Sequence, residues 1–407
     1  LNILVLAHRI PFPPNKGEKI RTFHQIKYLH ELGHQITVVC PFDDVKDPEY
    51  AKALQSRYCQ QAHGEKLGSK YPRLLSGLLR GQALSVANFY QATLQTKVDA
   101  LLQQNPDAVL CTASSMAAYI FNSSVYASLK KPPRLYMDFM DLDSDKWRQY
   151  AAKASGLKRW IFSREARLVG NFEKRIAEQF SACFFITETE CQMFRQQNGD
   201  IGQIYAVENG LDTDAFHPPL QASNHDKPVF LFTGVMDYAP NIDAALWFVD
   251  NVWQSIRSRW PNAEFIIAGM NPSAKIQSFH QKDGVLVTGF VDDILPYYHQ
   301  ATIFVAPFRI ARGVQNKILQ AFACGLPVVT TPMGAEGIKC ADGFSILIAE
   351  SPQQFFAQIE RLIVDAEHHR KITEQALHVI DSQYKWEALL DPMVNVLQGC
   401  HPTSKQS

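Results

Sequence analysis

Short apolar runs rich in β-branched and aromatic residues recur along the chain, separated by longer stretches in which apolar positions return every three or four residues. This alternation of strand-like and helix-like patterning argues for parallel sheets built from βαβ units. The first half offers strands near Ile3–His8, Gln35–Cys40, Ala108–Cys111, Arg134–Asp138, Ala182–Thr187 and Ile204–Val207. The second half offers Val229–Thr233, Ala263–Ala268, Val285–Thr288, Thr302–Ala306, Val328–Thr330 and Ser345–Ile348. Between the first two strands Phe23, Ile26, Leu29 and Leu32 recur at helical spacing, and Gly33 follows as a stop. Ile318, Leu319, Phe322 and Ala323 mark another helix, ending at Gly325, with Pro327 opening the next strand.

His217-Pro218-Pro219 and the polar stretch from Gln221 to Lys227 have the composition of an exposed linker. The expected organisation is an N-terminal Rossmann-like domain over 1–215 and a second over 216–383. A C-terminal helix that crosses back to the first domain, and a polar tail, are expected over 384–407. Such α/β domains collect ligands outside the carboxyl ends of their strands, so a site in a central cleft between them is expected.

The length of 407 residues suits two domains of ordinary size, and 46% hydrophobic content excludes a disordered chain. The 40 Lys+Arg balance the 40 Asp+Glu, so no global basic field points to nucleic acid. Neutrality is a sum of unlike halves: residues 1–215 hold 26 basic against 22 acidic side chains, and residues 216–407 hold 14 against 18. The eight Cys form no C-x-x-C pair and no metal-ligand rhythm, which reads as reduced thiols in a cytoplasmic protein, with no metal and no cofactor expected. No apolar run approaches the ~18 residues that span a bilayer, and Ile3 to Ala7 is too short for a signal-peptide core.

Four segments can carry chemistry. The proline-stiffened loop Pro11 to Arg21 turns at Gly17 into a helix, where free N–H groups and the dipole favour an anion; Gly17, Lys19 and Arg21 are candidates to face the cleft. No G-x-G-x-x-G occurs there, which weakens a dehydrogenase reading. Asp138, Asp141, Asp143 and Asp145 follow a strand end; capping and dipole complementarity explain most of them, while Asp138 and Asp141 are the two nearest the strand and so the candidates for substrate. Gly234 closes a strand at Thr233-Gly234-Val235, either as a close approach to a ligand or as a tight turn. Arg312, Gly313 and Lys317 sit at the entrance of the helix that contains Gln320, and two cations beside exposed N–H groups make a diphosphate site.

Here the chain resembles a family. Ala323-Cys324-Gly325-Leu326-Pro327-Val328-Val329 followed by Gly334-Ala335-Glu336-Gly337 resembles the C-terminal signature of glycosyltransferase family 4, retaining enzymes of the GT-B fold. Glu208-Asn209-Gly210-Leu211-Asp212 with Phe216 and Pro218 resembles the join between the family's domains. Gly289-Phe290-Val291-Asp292-Asp293 with Tyr297-Tyr298 resembles its nucleotide-base loop. Met236-Asp237-Tyr238, the string from Asp138 to Trp147 and that from Arg312 to Lys317 are closer still to sugar transferases of bacterial exopolysaccharide and exosortase systems. The family's E-x7-E pair is replaced by Arg312 and Gln320, and basic residues of the first C-domain loop by Asp237 and Pro240.

The resemblance implies an α/β GT-B fold and transfer of a sugar from a nucleotide-diphosphate sugar to a hydroxyl of a saccharide or lipid-linked acceptor, with retention. Its donor set is Gly234, Gly269, Gly289, Phe290, Val291, Arg312, Gly313, Lys317 and Gln320; Gly17, Lys19, Arg21 and Asp138 face the acceptor; Arg312, Lys317 and Asp141 are catalytic. The mixture of Leu with Lys and Arg from Lys66 to Arg80, and Lys158-Arg159-Trp160-Ile161-Phe162 with Arg164 and Arg167, fits peripheral contact with an anionic membrane at the inner face, a pattern shared by ordinary amphipathic surface helices. Three rivals remain at this level: a sugar-nucleotide epimerase of the same architecture, an exported sugar-binding protein, and a catalytically silent homologue acting as an assembly partner.

Overall fold

Parallel strands covered on both faces must be apolar almost throughout, and that is how the inner strands of this chain are built. The computed structural model describes residues 1–14, 17–220, 227–310 and 314–400. The linker stretch 221–226, the tail 401–407 and residues 15–16 of the first loop lie outside them. The chain divides into two compact units, Leu1–Gly210 with the residues from Leu389 onward, and Leu211–Ala388.

In the first unit β1 (Asn2–Leu6), β2 (Gln35–Phe42), β3 (Gln61–Lys66), β4 (Ala108–Thr112), β5 (Arg134–Met140), β6 (Ala182–Phe185) and β7 (Ile204–Ala206) form a sheet of order β3-β2-β1-β4-β5-β6-β7. All its pairings are parallel. The second unit repeats the plan with β8 (Val229–Thr233), β9 (Glu264–Ala268), β10 (Val285–Gly289), β11 (Ile303–Ala306), β12 (Val328–Thr330) and β13 (Leu347–Ile348), ordered β10-β9-β8-β11-β12-β13. Each sheet runs outward from its first strand in one direction and then resumes on that strand's other side. The reversal leaves a crevice at the carboxyl ends of β1 and β4 in one unit and of β8 and β11 in the other.

One strand is invisible in the hydrophobic pattern. β3 reads Gln-Ala-His-Gly-Glu-Lys and has no buried residue. As an edge strand it needs only backbone pairing with β2, and its polar side chains blunt the edge. Gly64 in it is a steric necessity, because a Cβ there would lie 2.1 Å from the Phe42 ring. The first helix, Gly17–Glu31, buries Phe23, Ile26 and Leu29 as the spacing requires. Leu32, counted with that stripe, lies beyond the last turn and is exposed, and Gly33 takes φ 82°.

The same helix carries polar residues inward. Arg21 is 1% exposed and Asp138, on β5, is wholly enclosed. Arg21 Nε and Nη2 donate to the two Asp138 oxygens at 2.7 and 3.0 Å. Gln25 Nε2 donates to the same carboxylate. Arg21 Nη1 donates to the Val207 carbonyl at 2.7 Å and to Asn209 Oδ1 at 2.9 Å. One guanidinium therefore binds the first helix, the middle of the sheet and the chain leaving β7.

At the other end, the helix Trp386–Gln398 enters the first unit through Leu390, Met393, Val394 and Leu397, all buried. Tyr28 donates its hydroxyl hydrogen to Asp391, and Tyr136 donates to the Val396 carbonyl at 3.3 Å.

Removing one partner of a buried ion pair strands the other charge, at a cost of about 3–5 kcal/mol. Asp138→Ala is expected to destabilise the first unit by about that amount in urea-induced unfolding. A loss below about 1 kcal/mol would show that the pair contributes no more than a surface bridge.

Candidate functional site

The second unit gathers most of the expected donor residues around one cavity of about 420 Å³. Its walls are the carboxyl ends of β8 and β9, the loop after β10 and the first turns of the helix Asn316–Ala323, which follows β11. The backbone at its floor is tightly closed. Gly234 N donates to the Ala268 carbonyl at 3.0 Å, and Met236 N to that of Met270 at 2.8 Å, so the loops leaving β8 and β9 travel together. A Cβ on Gly269 would stand 1.8 Å from the Gly234 oxygen. One on Gly234 would meet Asn241 Nδ2 at 2.6 Å and Lys317 Nζ at 2.9 Å.

Among the described residues lining the cavity, Lys317 is the cation. Its Nζ donates to Asn241 Oδ1 at 2.6 Å and stands 5.0 and 4.9 Å from the ring centres of Phe232 and Phe308. Asn241 is itself oriented by donating from Nδ2 to the Val235 carbonyl at 2.9 Å. Burial among these groups pushes the Lys317 ammonium down to about 8. The charged form is thus short of solvation and favours an anion. It sits in the first turn of its helix, where the dipole adds positive potential. Among the described residues lining the cavity there is no carboxylate to compete for it.

Tyr298 holds this arrangement from behind. Fully buried, it stacks on Phe304 at 5.7 Å, and its hydroxyl lies 2.9 Å from Thr233 Oγ1 and 3.0 Å from Gln320 Oε1. It so connects the end of β8 to the helix carrying Lys317 and Gln320, and burial raises its phenol well above the usual range. Phe290 is 67% exposed at the rim, with Val291 beside it on the cavity wall. A flat apolar wall, one desolvated cation, a helix N-terminus and a polar amide suit an aromatic base joined to phosphates. Gly234, Gly269, Phe290, Val291, Lys317 and Gln320 thus meet in one place. Gly289 ends β10 at φ 69°, next to the rim. Arg312 and Gly313 lie outside the described residues.

In the first unit the expected acceptor residues separate. Gly17 is exposed at the start of its helix, and Asp141 is exposed beyond β5. Lys19 is nearly buried. Arg21 and Asp138, expected to face an acceptor, are enclosed and bound to each other, which corrects that expectation: the carboxylate lies inside the strand rather than past its end. The polar groups at the crevice end of this sheet are instead His8 after β1, Ser114 after β4 and Asp143 after β5. The His8 amide donates to Thr112 Oγ1 at 3.2 Å. Burial raises the Asp143 carboxyl, against the opposing pull of Lys146, His8 and a hydrogen bond from Ser114. Ala113 at φ 71°, ψ 145° and Met140 at φ 65° hold left-handed backbone at the ends of β4 and β5. Such outliers cluster where a fold positions ligands. Behind Asp143, Glu173 is buried and pushed up to about 8; its Oε1 accepts from the Ser144 amide at 3.1 Å and its Oε2 finds no hydrogen-bond partner among the described residues.

Sequence reasoning did not identify Asn241, beyond its place at a helix start, as the partner of Lys317, nor Glu173 at all. The β8 loop is legible locally, but the contact between residues 241 and 317 crosses two βα units.

Residues 227–365 match the family described as "Glycosyl transferases group 1". An "Uncharacterized 44.6 kDa protein in cps region" of Klebsiella pneumoniae is 21% identical to the chain, with 94% of this chain and 96% of that protein covered. Among solved structures, sucrose-phosphate synthase from Thermosynechococcus elongatus is 15% identical, with coverage of 98% and 99% of the two chains and a TM-score of 0.54. Anabaena HepE, solved in complex with UDP and glucose, gives the same values. TarM is 10% identical over 97% of this chain and 98% of its own, with a TM-score of 0.57. These likenesses establish the fold: two Rossmann-like parallel-sheet domains, as in GT-B glycosyltransferases.

Two expected outcomes test the geometry. Gly269→Ala forces a methyl group into the Gly234 carbonyl and is expected to lower the unfolding midpoint of the second unit markedly more than Gly289→Ala, whose added Cβ meets nothing within 4 Å. Equal effects in thermal unfolding would contradict the proposed close approach. For Glu173, the folded carboxyl at about 8 lies above its ordinary 4.5, so the folded state holds a proton that the unfolded state releases between these values. Stability therefore falls as pH rises through that window. Glu173→Gln is expected to stabilise the protein near pH 8 and to make little difference near pH 4.5, as read from urea midpoints across pH.

Proposed function

We propose that the protein is a retaining glycosyltransferase that moves a sugar from a nucleotide-diphosphate sugar to an acceptor hydroxyl. The observation that carries this reading is Lys317, a poorly solvated cation at a helix N-terminus in a cavity whose described lining holds no carboxylate, within the segment that matches group 1 glycosyl transferases. The complex of Anabaena HepE with UDP and glucose, a protein of the same fold, supports it.

In this scheme the diphosphate lies against Lys317 and the start of its helix, the base against Phe290 and Val291, and the ribose near the Gln320 amide. As the glycosidic bond to the β-phosphate breaks, negative charge grows on the leaving oxygen. Lys317, held in place by Asn241, stabilises that charge without having to reorganise. The acceptor hydroxyl attacks the anomeric carbon from the face the leaving group vacates and passes its proton to the departing phosphate oxygen, so configuration is retained without an enzyme nucleophile. Arg312 is assigned to the same diphosphate. Exposed Asp141 and the helix start at Gly17 are assigned to the acceptor, in place of Arg21 and Asp138. The nucleotide sugar is substrate, and the scheme requires no further cofactor.

The acceptor is proposed to be a saccharide or lipid-linked saccharide of bacterial exopolysaccharide or glycolipid assembly. The relative in a cps region supports this context. Among the described residues no helix is long and apolar enough to cross a membrane. The protein is assigned to the cytoplasmic side, reaching lipid-linked acceptors peripherally.

Lys317→Ala is expected to abolish UDP binding by calorimetry and UDP release from a panel of UDP-sugars, with the fold intact by circular dichroism. For the unaltered protein, affinity for UDP should fall as pH rises above about 8, where Lys317 loses its proton, approaching about tenfold per pH unit. Undiminished binding in the variant refutes the site. UDP binding without turnover on any donor and acceptor tried would favour the catalytically silent homologue, for which the Gln320 and Arg312 replacements are the motivating feature.

A further inference from the structure

The helix Lys70–Leu79 is amphipathic in the reverse of the usual sense. Tyr71, Leu75, Leu78 and Leu79 follow the i, i+4, i+7, i+8 spacing of a single helical face, and they are 83, 57, 47 and 80% exposed. Its opposite side faces the protein. A Cβ on Gly77 would stand 2.3 Å from that of Ala87, and the Arg73 nitrogens Nε and Nη1 are buried. Water is therefore in contact with the apolar side, although a fold normally turns that side inward.

A second segment adjoins it. The helix Gly156–Gln179 begins with Leu157 and Trp160, 73 and 60% exposed and three residues apart. One turn further on, Arg164 Nη2 donates to the Gln82 carbonyl at 3.1 Å. The buried Glu165 carboxylate accepts from the amides of Leu84 and Ser85 at 2.8 and 3.2 Å. These bonds fix the segment that follows the first helix, from Gln82 to Ser85, against the second helix one turn past Trp160, within one unit of the fold.

Charge accompanies both faces. From Lys66 to Arg80 the chain has four cations and no carboxylate, and from Ala151 to Arg164 it again has four cations and none. Lys66, Lys70, Arg80, Lys158 and Arg159 are exposed. A second copy meeting this face with its own would set like charges against like. A surface that is apolar beneath and anionic above matches it: side chains of Leu and Trp enter the interface, Tyr and Trp sit at headgroup level, and Lys and Arg reach the phosphates.

We propose that this ledge, made of the helix Lys70–Leu79 and the first turns of Gly156–Gln179, docks the protein on an anionic phospholipid bilayer. The inference gives a specific surface to the peripheral association proposed above. It is independent of the donor cavity, so vesicle binding and UDP binding can fail separately.

The test is flotation of the full chain with vesicles of phosphatidylcholine alone and of phosphatidylcholine mixed with phosphatidylglycerol. The protein is expected to float with the mixed vesicles only, and less so at high salt. The double variants Lys70→Ala/Arg80→Ala and Leu75→Ser/Leu79→Ser are each expected to weaken vesicle binding by about thirtyfold. All four side chains are exposed, so thermal unfolding and UDP affinity should stay unchanged. Failure to float with anionic vesicles, or equal binding by the variants, overturns the proposal. So does a wild-type dimer in sedimentation equilibrium that the Leu75→Ser/Leu79→Ser variant lacks, since a second copy would then cover the face.

Discussion

A guanidinium with almost no access to water has to find its partners inside the protein, and Arg21 finds them in two separate parts of the first unit. The Asp138 carboxylate supplies the opposite charge, while the Val207 carbonyl and Asn209 take the remaining donors. The first helix, β5 and the exit from the sheet are therefore held by one network whose loss would leave a charge buried. Asn209 stands immediately before the point where the chain leaves this unit. Beyond that point Leu211 donates its amide to the Tyr384 carbonyl at 2.7 Å. The residues on each side of the crossing are thus fixed within their own unit.

The second unit uses proximity rather than charge pairing. Two glycines bring the loops after β8 and β9 within backbone contact, and the room left above them is occupied by Lys317 and Asn241. Without a Cβ on Gly234 the lysine can lie against the sheet between two aromatic rings, where it is poorly hydrated. A cation in that state has more to gain from an incoming phosphate than one already solvated. Tyr298 connects the end of β8 to the helix, so Lys317 and Gln320 share one support.

The fold was largely legible because parallel strands are apolar on both faces and the helices between them are periodic. β3 escaped because an edge strand is held by backbone bonds and has no apolar face to display. The residues that line the cavity were legible as candidates because they lie in the turns after strands or in the first turns of the helix that follows, where such folds gather ligands. Arg21 and Asp138 were misjudged for a related reason. Proximity to a strand end was read as proximity to the crevice, but the strand continues to Met140 and the carboxylate points into the sheet's interior. Glu173 had no local signal, since it lies in the middle of a long helix and becomes unusual only by facing Ser144.

By itself the sequence determined the order of elements, the parallel sheets and the turns that close them, because hydrophobic periodicity and glycine or proline stops are local properties. It also determined where cations without carboxylates accumulate along the chain. Only the tertiary structure decided which charges are used internally and which remain available, because pairing depends on contacts between segments far apart in the chain. The same burial that neutralises Arg21 with Asp138 leaves Lys317 with an amide for a partner, and the packing of Gly77 turns the leucines of its helix outward.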